Sequence, residues 1–317
     1  MSYVFGPVPS RRLGRSLGID LIPMKSCTYD CLYCQVGRTT SKIISPAAFV
    51  PVHAVIEELE SVLPDCEPDV ITLSGSGEPT LELALDRVIS SIKEISRVPV
   101  ALLTNGSLFW KEELRERALL ADLILPTVTT AFDETFQRIH RPHRDLKLAS
   151  VLEGLTALRE AFCGLLAVEV MLLQGINDTE KELEGLKAIL DRIRPEKIHL
   201  NTIARPPADV RARPLDTKRL EAIRVFFGRN AEIVAGAPSS SKGRVGGPVD
   251  FALLETIRRR PLRPTDMAHT LNLPLEQVER IVKRLIEDGR LREQEHEGES
   301  YFMATDGGGY DGAGRRE

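Results

Sequence analysis

The chain has 317 residues, a formal net charge of −4, 42% hydrophobic residues and 28% charged residues. This composition is typical of a folded globular protein, and the slightly acidic balance excludes a global basic field that would favour nucleic acid or an anionic membrane. No apolar run approaches membrane-spanning length and the first residues lack a signal-peptide core, so a reducing cytoplasm is the predicted compartment.

From about residue 15 to residue 235, short apolar runs alternate with amphipathic stretches. The predicted strands are 16–22, 69–75, 98–105, 121–128, 165–172 and 197–203, with a candidate seventh strand near 234–238. The predicted helices are 53–63, 81–95, 111–120, 147–162, 178–193 and 217–228, each with apolar residues three and four apart. Such alternation predicts a parallel sheet covered by helices. Six units are fewer than a full barrel needs, so we predict an α/β fold with a partial (β/α)6 TIM-like barrel; a doubly wound sheet is the alternative.

A composition change divides the chain. Residues 238–249 are rich in Ser and Gly and predict a flexible linker after a first domain at 1–237. Residues 250–304 then predict three helices and a hairpin, which is the pattern of a C-terminal winged helix-turn-helix domain. The Gly-rich residues 305–317 predict a disordered tail.

The predicted winged helix has an unusual charge for a nucleic-acid binder. Acidic residues outnumber basic ones between 250 and 304, and its third helix begins with Glu276 and Glu279, where base-reading residues would lie. Phosphate contacts need local positive charge. Nucleic acid therefore remains open as a partner but is disfavoured, and binding of a protein or packing against the barrel is favoured.

Three of the five cysteines fall within residues 25–34, KSCTYDCLYC, with the spacing Cys27-x3-Cys31-x2-Cys34. Structural zinc usually takes four ligands in two pairs, and the nearest extra candidate, His53, lies at the start of a predicted helix. An iron–sulfur cluster also normally takes four thiolates. Three thiolates leave either a distant fourth ligand or an iron open to a cofactor or substrate.

Other polar residues follow the ends of the predicted strands, where ligand sites of parallel barrels collect. They are Gly75, Ser76, Gly77, Glu78 and Pro79 in GSGEPT, Thr104 and Asn105 in TNG, Thr129, Gln174 in LLQGIND, and Asn201 in LNT. Each has a structural alternative. An Asn-Gly pair makes a turn without any ligand, and Asn177 or Asp178 can cap the following helix.

Basic residues cluster in three predicted loops: Arg11 and Arg12 before the first predicted strand, residues 140–144 after the fourth, and Arg205 after the sixth. Arginine forks suit carboxylates or phosphates, so an anionic substrate is one interpretation. Solvated surface charge is the other, and for any single arginine it is the simpler one.

The cysteine spacing, with Tyr33 before the last cysteine, resembles the signature of the radical S-adenosylmethionine (radical SAM) superfamily, and GSGEPT resembles its Gly-Gly-Glu-Pro motif. The resemblance implies that Cys27, Cys31 and Cys34 hold a [4Fe–4S] cluster and that S-adenosylmethionine (SAM) chelates the fourth iron. It further implies that the strand-end residues contact SAM, with the 75–79 turn at its methionine ammonium and Gln174 beside its adenine. Arg11, Arg12, Asn201 and Arg205 are left as candidate substrate residues.

The same resemblance implies an oxidoreductase-type reaction. SAM would be cleaved reductively to a 5′-deoxyadenosyl radical that takes hydrogen from a substrate, with flavodoxin or ferredoxin as the reductant. FGPVPSRRLGRSLGIDL before the cluster is also similar to proteins related to the tRNA-wybutosine (imidazoline-forming) enzymes. A tRNA or nucleotide substrate, a peptide or protein substrate, and a redox-sensing transcription regulator are the competing hypotheses.

Overall fold

The computed structural model describes residues 2–234 and 249–305. Its strands are β1 (Val4–Ser10), β2 (Gly14–Ile19), β3 (Ser26–Cys27), β4 (Ser41–Lys42), β5 (Val70–Leu73), β6 (Val100–Thr104), β7 (Leu123–Val128), β8 (Leu165–Leu172), β9 (Lys197–Thr202), β10 (Ala231–Ile233), β11 (Leu291–His296) and β12 (Glu299–Ala304). Its α-helices are α1 (Val52–Val62), α2 (Leu85–Ile95), α3 (Glu112–Ala118), α4 (Asp133–His140), α5 (Leu148–Ala161), α6 (Glu180–Ile193), α7 (Thr217–Phe227), α8 (Val249–Arg259), α9 (Pro264–Leu271) and α10 (Leu275–Glu287).

Eight strands form one sheet in the order β1-β2-β5-β6-β7-β8-β9-β10. All neighbouring pairs are parallel except β1 and β2, which are antiparallel. From β2 onward the spatial order follows the chain order, whereas a doubly wound sheet reverses direction at a switch point. The order therefore supports the partial barrel over the doubly wound alternative.

The sheet curls rather than lying flat. Arg12, in the turn between β1 and β2, places Nη1 2.5 Å from Oε1 of Glu169 on β8. Four strand steps separate β2 from β8, which is about 20 Å in a flat sheet. The side chains can meet only because the sheet wraps around an interior, with β1 and β10 at its two free edges among the described residues.

Three elements differ from the sequence prediction. The structure adds β1, an antiparallel edge strand with a register irregularity between Phe5 and Val8. It adds α4, in a stretch predicted as loop. The seventh parallel strand, β10, lies before the predicted 234–238, and residues 235–238 lie outside the described residues. Among the described residues the sheet therefore has seven parallel strands, and the candidate seventh lies a few residues earlier than predicted.

Buried apolar side chains fill the space between strands and helices, among them Leu17, Ile71, Leu102 and Val168. The helix ends follow local chemistry. Asp216 caps α7 by accepting the N–H of Arg219, and Thr179, rather than Asn177 or Asp178, caps α6. These caps fix the first residues of α6, which follows β8, and of α7, which follows β9.

Residues 249–305 form three helices and then an antiparallel hairpin, β11 and β12. A bridge between Leu262 and Phe302 adds a third short segment to the hairpin. This part of the chain has its own apolar cluster, which includes Leu253, Met267 and Val282. The predicted linker before it and the predicted tail after it lie almost wholly outside the described residues.

In the described ranges, no helix combines the length and apolar character needed to cross a membrane.

Candidate functional site

The three clustered cysteines lie in the loop after β2 and before α1, and the end of α4 covers this loop. The backbone N–H of Asp30 donates to the carbonyl of His140 at 2.8 Å, and that of Leu32 donates to the carbonyl of Ile139 at 2.9 Å. Carbonyls in the last turn of a helix lack partners inside it. The cysteine loop therefore takes part of its backbone hydrogen bonding from a helix end.

The thiols of this loop are half-buried and unbonded to one another. Burial raises the pKa of Cys27 to about 12, and burial also raises the pKa of Cys31 and of Cys34. Cys27 and Cys34 raise the pKa of Cys31 further, because a thiolate there would lie near like charges. Thiolates at these positions need a bound cation for stability, and three such donors in one loop fit an iron–sulfur cluster.

A single metal ion fits less well. Among residues 2–234 and 249–305, no three His, Cys, Asp or Glu side chains converge as ligands of one ion. An iron–sulfur cluster does not require its ligands to converge on one point, because each thiolate binds a separate iron. The donor set therefore favours the cluster over mononuclear zinc.

The GSGEP turn after β5 packs directly on the cysteine loop. A Cβ added to Gly77 would lie 1.9 Å from the backbone carbonyl oxygen of Ser26, the residue before Cys27. No side chain fits at that distance, so the turn can approach the loop only with glycine at this position. The sequence prediction placed these two motifs at one edge of the sheet, and the structure brings their backbones into contact.

Glu78 holds the turn from within. Its carboxylate is buried and accepts hydrogen bonds from Thr80 Oγ1 at 2.7 Å, Thr104 Oγ1 at 2.6 Å and the backbone N–H of Asn105 at 2.7 Å. Burial raises the pKa of Glu78, while the hydrogen bonds from Thr104, Asn105 and Thr80 oppose that shift. The side chains of Glu78 and Thr104 thus join the ends of β5 and β6.

Asn105 connects the end of β6 to the first cysteine. Its Nδ2 donates to Thr28 Oγ1 at 2.8 Å and lies 3.5 Å from Cys27 Sγ. Its Oδ1 accepts the N–H of Ser107 at 2.9 Å, which fixes the orientation of the amide. Asn105 therefore presents an N–H to a candidate cluster sulfur, a contact that tunes iron–sulfur centres.

His140 is a site residue to which the sequence analysis gives no individual role. Its Nδ1 lies 3.1 Å from Cys31 Sγ, and its Nε2 lies 2.7 Å from Thr129 Oγ1. Burial lowers the pKa of His140 to about 3, so the ring is neutral near pH 7. Thr129, predicted to contact SAM, thus reaches the cysteine loop through this ring. Phe136, Ile139 and His140 share the buried face of α4, and that spacing was the available signal.

Asn177 lies buried behind Thr129 and is not a helix cap. Its Nδ2 donates to the carbonyls of Thr129 at 2.7 Å and Met171 at 2.8 Å, and its Oδ1 accepts the N–H of Leu173. The amide fixes the ends of β7 and β8 relative to each other. It supports the site from behind without facing it.

A second polar group lies inside the barrel around Glu169 on β8. Its carboxylate accepts hydrogen bonds from Arg12, from Asn201 Nδ2 at 2.9 Å and from Thr127 Oγ1 at 2.9 Å. Burial raises the pKa of Glu169, but Arg12, Asn201 and Thr127 outweigh burial and hold it below its usual range. Two predicted substrate residues, Arg12 and Asn201, therefore both bind the carboxylate of Glu169. The sequence analysis did not identify Glu169, because a single acidic residue inside a strand has no recognisable motif.

Asp20, just after β2, links the GSGEP turn to the C-terminal residues. It accepts hydrogen bonds from the backbone N–H of Ser76 at 3.1 Å and from the Ser76 hydroxyl. It also forms an ion pair with Arg259 of α8 at 2.7 Å, and both side chains are 4% exposed. Arg259 Nη2 donates to the carbonyl of Ser2 as well. The end of α8 is thus bonded to the residue that supports the turn.

The remaining predicted residues, Arg11, Gln174 and Arg205, do not join the cysteine site. They line a separate cavity of about 1170 Å³ between the barrel and the C-terminal residues, which we call the junction cavity. Tyr301 of β12 closes one side, with its hydroxyl donating to the carbonyl of Ala204 at 2.9 Å.

An open parallel barrel with three half-buried thiols beyond its first parallel strand is the arrangement expected of an iron–sulfur enzyme of the α/β class. Residues 21–186 match the family described as the Radical SAM superfamily. The chain belongs to this superfamily, whose members are enzymes that use a [4Fe–4S] cluster and S-adenosylmethionine.

The chain is similar to several individual proteins. It is 34% identical over 310 residues to the UPF0026 protein MJ1312 of Methanocaldococcus jannaschii, covering 96% of each chain. It is 37% identical over 295 residues to a Brachyspira hyodysenteriae protein named GTPase Obg, covering 92% of this chain but only 43% of that relative. A radical SAM methyltransferase structure from Sphaerobacter thermophilus shares the fold with a TM-score of 0.54 and 15% identity, over 69% of this chain and 65% of that chain.

Proposed function

We propose that this enzyme cleaves S-adenosylmethionine reductively at a [4Fe–4S] cluster held by Cys27, Cys31 and Cys34, and removes hydrogen from an anionic substrate. The observation that carries the proposal is the close packing of the GSGEP turn on the cysteine loop at Gly77. This contact puts three thiols and the GSGEP turn at one edge of the sheet. When bound, the cluster and SAM supply the 5′-deoxyadenosyl radical.

The roles of the chain's own residues follow from their contacts. We assign Gly75, Ser76, Gly77 and Pro79 to the backbone that binds the methionine end of SAM, with Glu78 and Thr104 holding that backbone in place. The side-chain amide of Asn105 points its N–H at Cys27 Sγ. Thr129 holds the ring of His140 in place beside Cys31. Gln174 beside adenine stays a prediction from the resemblance, since its side chain is exposed at the junction cavity.

The polar group inside the barrel is the proposed place where substrate is oriented. Arg12 and Asn201 are held by Glu169 in an interior shielded from solvent by the sheet. Shielding matters, because water and stray hydrogen donors compete for a reactive intermediate. The arginines near the barrel support an anionic substrate over a neutral one.

We infer that residues 250–304 form a winged helix that packs on the barrel, after a first domain at 1–237. The order of three helices and a hairpin supports the inference, and the buried Arg259–Asp20 pair supports packing on the barrel. Glu276 and Glu279 are exposed at the start of α10, which disfavours nucleic-acid binding there. A relation to the tRNA-wybutosine enzymes remains the alternative with an RNA substrate.

The test uses the full chain, reconstituted anaerobically with iron and sulfide, then given dithionite and SAM. We expect 5′-deoxyadenosine to form, and flavodoxin or ferredoxin from a reducing cytoplasm to replace dithionite. An intact cluster that forms no 5′-deoxyadenosine would contradict the enzyme assignment and favour a redox-sensing regulator. Comparison of metabolites, tRNA nucleosides and peptides between a deletion strain and its parent then separates the substrate classes.

A further inference from the structure

Three arginines from different parts of the chain meet beside the junction cavity. Arg11 comes from the β1–β2 turn, Arg205 follows β9, and Arg260 follows α8. In the described ranges, Arg11 Nη1, Arg205 Nε, and Arg260 Nε and Nη2 are buried without a hydrogen-bond partner. Buried donors are normally paired, so four unpaired guanidinium nitrogens in one place need an explanation.

The nearby carboxylates do not neutralise these arginines. Asp266 acts electrostatically on Arg205 and Arg260, but its oxygens accept hydrogen bonds from Nε and Nη2 of Arg263 at 3.2 Å each. Glu299 is also bonded to Arg263, through Nη1. Glu169 acts on Arg11, but its carboxylate already pairs with Arg12.

The three guanidinium groups disfavour one another. Burial, together with the charges of Arg205 and Arg12, lowers the pKa of Arg11 to about 10. Burial lowers the pKa of Arg260 to about 9, with Arg205 and Arg11 contributing in the same direction. Arginine side chains stay protonated in proteins, so the cluster holds positive charge that no hydrogen-bonded carboxylate in residues 2–234 and 249–305 balances at these four nitrogens.

We propose that Arg11, Arg205 and Arg260 form a phosphate-binding site, and that it holds the phosphate of a small phosphorylated substrate. A phosphate carries up to two negative charges and several acceptor oxygens, which suits converging guanidinium forks better than a single carboxylate does. Naming the ligand as substrate rests on the proposed radical SAM activity, whereas phosphate binding itself does not.

The cavity supports a small molecule over a nucleic-acid backbone. Its volume of about 1170 Å³ lies just above the range of about 300–1,000 Å³ for small-ligand pockets. Thr202, the last residue of β9, also lines it, so it opens onto the edge of the sheet that carries the cysteine loop. Arg11 and Arg205 line the cavity, and Arg260 lies next to them without lining it. The lining also includes Asp216, Glu295 and Glu297, which would repel a chain of phosphates.

Calorimetric titration of inorganic phosphate into the reconstituted full chain, at constant ionic strength in chloride buffer, tests the site. We expect saturable binding at one site, weakened about tenfold or more in Arg205→Gln and in Arg260→Gln, because each loses charge-assisted hydrogen bonds. Arg224→Gln is the control: it removes one positive charge from the surface of α7, where Arg224 pairs with Glu221. It should bind phosphate as the wild type does.

Thermal unfolding separates a ligand site from a structural role. Without phosphate, Arg205→Gln should unfold at or above the wild-type temperature, since it removes a repulsion; with phosphate, only the wild type and the control should gain stability. Absent saturable binding, or equal weakening in all three variants, overturns the proposal. Tighter, Arg205-dependent binding of a 20-nucleotide RNA overturns the small-molecule assignment. If the protein binds phosphate but forms no 5′-deoxyadenosine from SAM, the proposed radical SAM activity is contradicted and the phosphate-binding site is still supported.

Discussion

The buried carboxylate of Glu78 holds the GSGEP turn in place through hydrogen bonds to neighbouring residues. Its oxygens are occupied by donors from Thr80, Thr104 and Asn105. An acceptor satisfied in this way has little capacity left for SAM. We therefore expect the glutamate of the motif to act as a positioning residue in this chain, with SAM contacts made by the backbone around it.

Replacing Glu78 with Gln keeps the volume but puts an amide N–H₂ where one acceptor oxygen lies. We expect a loss of about 1–3 kcal/mol in the free energy of unfolding, because buried donors lose their acceptor. SAM affinity should fall in parallel. Urea unfolding and calorimetric SAM titration measure the two effects, with Glu57→Gln on the exposed face of α1 as control. Wild-type values for both quantities in Glu78→Gln would contradict the positioning role.

Glu169 is the equivalent residue inside the barrel, and its charge makes a pH-dependent contribution. The pKa of Glu169 in the folded protein lies below its ordinary value of 4.5, since Arg12, Asn201 and Thr127 outweigh burial. The resulting stability is present above that ordinary value and is lost as the pH falls through the lower folded pKa.

We therefore expect Glu169→Gln to be less stable than the wild type near neutral pH by about 3–5 kcal/mol, because Arg12 loses its buried partner. The difference should shrink as the pH falls below 4.5. Urea unfolding across the pH range, on metal-free samples of both proteins, gives this difference directly. A difference that stays constant into acid would show that the carboxylate charge contributes nothing.

At the scale of elements, α4 organises the cysteine loop although its sequence gave little sign of a helix. Its last carbonyls accept backbone N–H groups of the loop, and its final residue, His140, bridges Cys31 and Thr129. The helix is short, with its apolar residues spaced over barely two turns. A loop that binds a cluster is thus shaped from both sides, by α4 and by the GSGEP turn.

Thr129→Val keeps the shape of the side chain and removes the partner of His140 Nε2. We predict a loss of about 1–3 kcal/mol in unfolding free energy, because a buried ring nitrogen is left unpaired. Iron bound per chain after reconstitution should fall as well, since the ring beside Cys31 is released. Thr156→Val, on the outer part of α5, is the control. Unchanged iron content in Thr129→Val would separate His140 from cluster retention.

The strands and helices with strong periodicity were predictable, and those that depend on distant partners were not. The strand over 165–172 matches β8 at both ends. The first strand, β1, was not predicted because Gly6, Pro7 and Pro9 argue against a regular strand, yet a bulged edge strand tolerates them. The cysteines and the GSGEP turn carried their signal in spacing. Glu169 carries none and His140 only its spacing with Phe136 and Ile139, because their roles exist only once the sheet has curled.

At the scale of the whole molecule, the C-terminal residues are bonded to the barrel through Arg259 of α8. Arg259 is buried between Asp20, Glu255 and the carbonyl of Ser2, with its guanidinium over the ring of Phe5. Because Asp20 also bonds the GSGEP turn, α8 and the candidate cofactor turn share one buried ion pair. We therefore expect that loss of the Arg259–Asp20 pair also disturbs the GSGEP turn.

Arg259→Gln should lower the free energy of unfolding by about 3–5 kcal/mol, as expected when one partner of a buried ion pair is removed. SAM affinity should also fall, measured by calorimetry under conditions where the variant remains folded. Arg284→Gln, which breaks an exposed pair with Asp250, is the control and should change neither quantity appreciably. A folded Arg259→Gln variant that binds SAM as tightly as the wild type would refute the coupling.

The central claim, that three particular thiols carry the chemistry, has an internal control in the other two free cysteines, Cys66 and Cys163. The decisive measurement is iron content and 5′-deoxyadenosine formation after anaerobic reconstitution of five single Cys→Ala variants. We predict that Cys27→Ala, Cys31→Ala and Cys34→Ala each lose the cluster and form no 5′-deoxyadenosine, while Cys66→Ala and Cys163→Ala behave as the wild type. Full cluster content and activity in any of the first three variants would contradict the account.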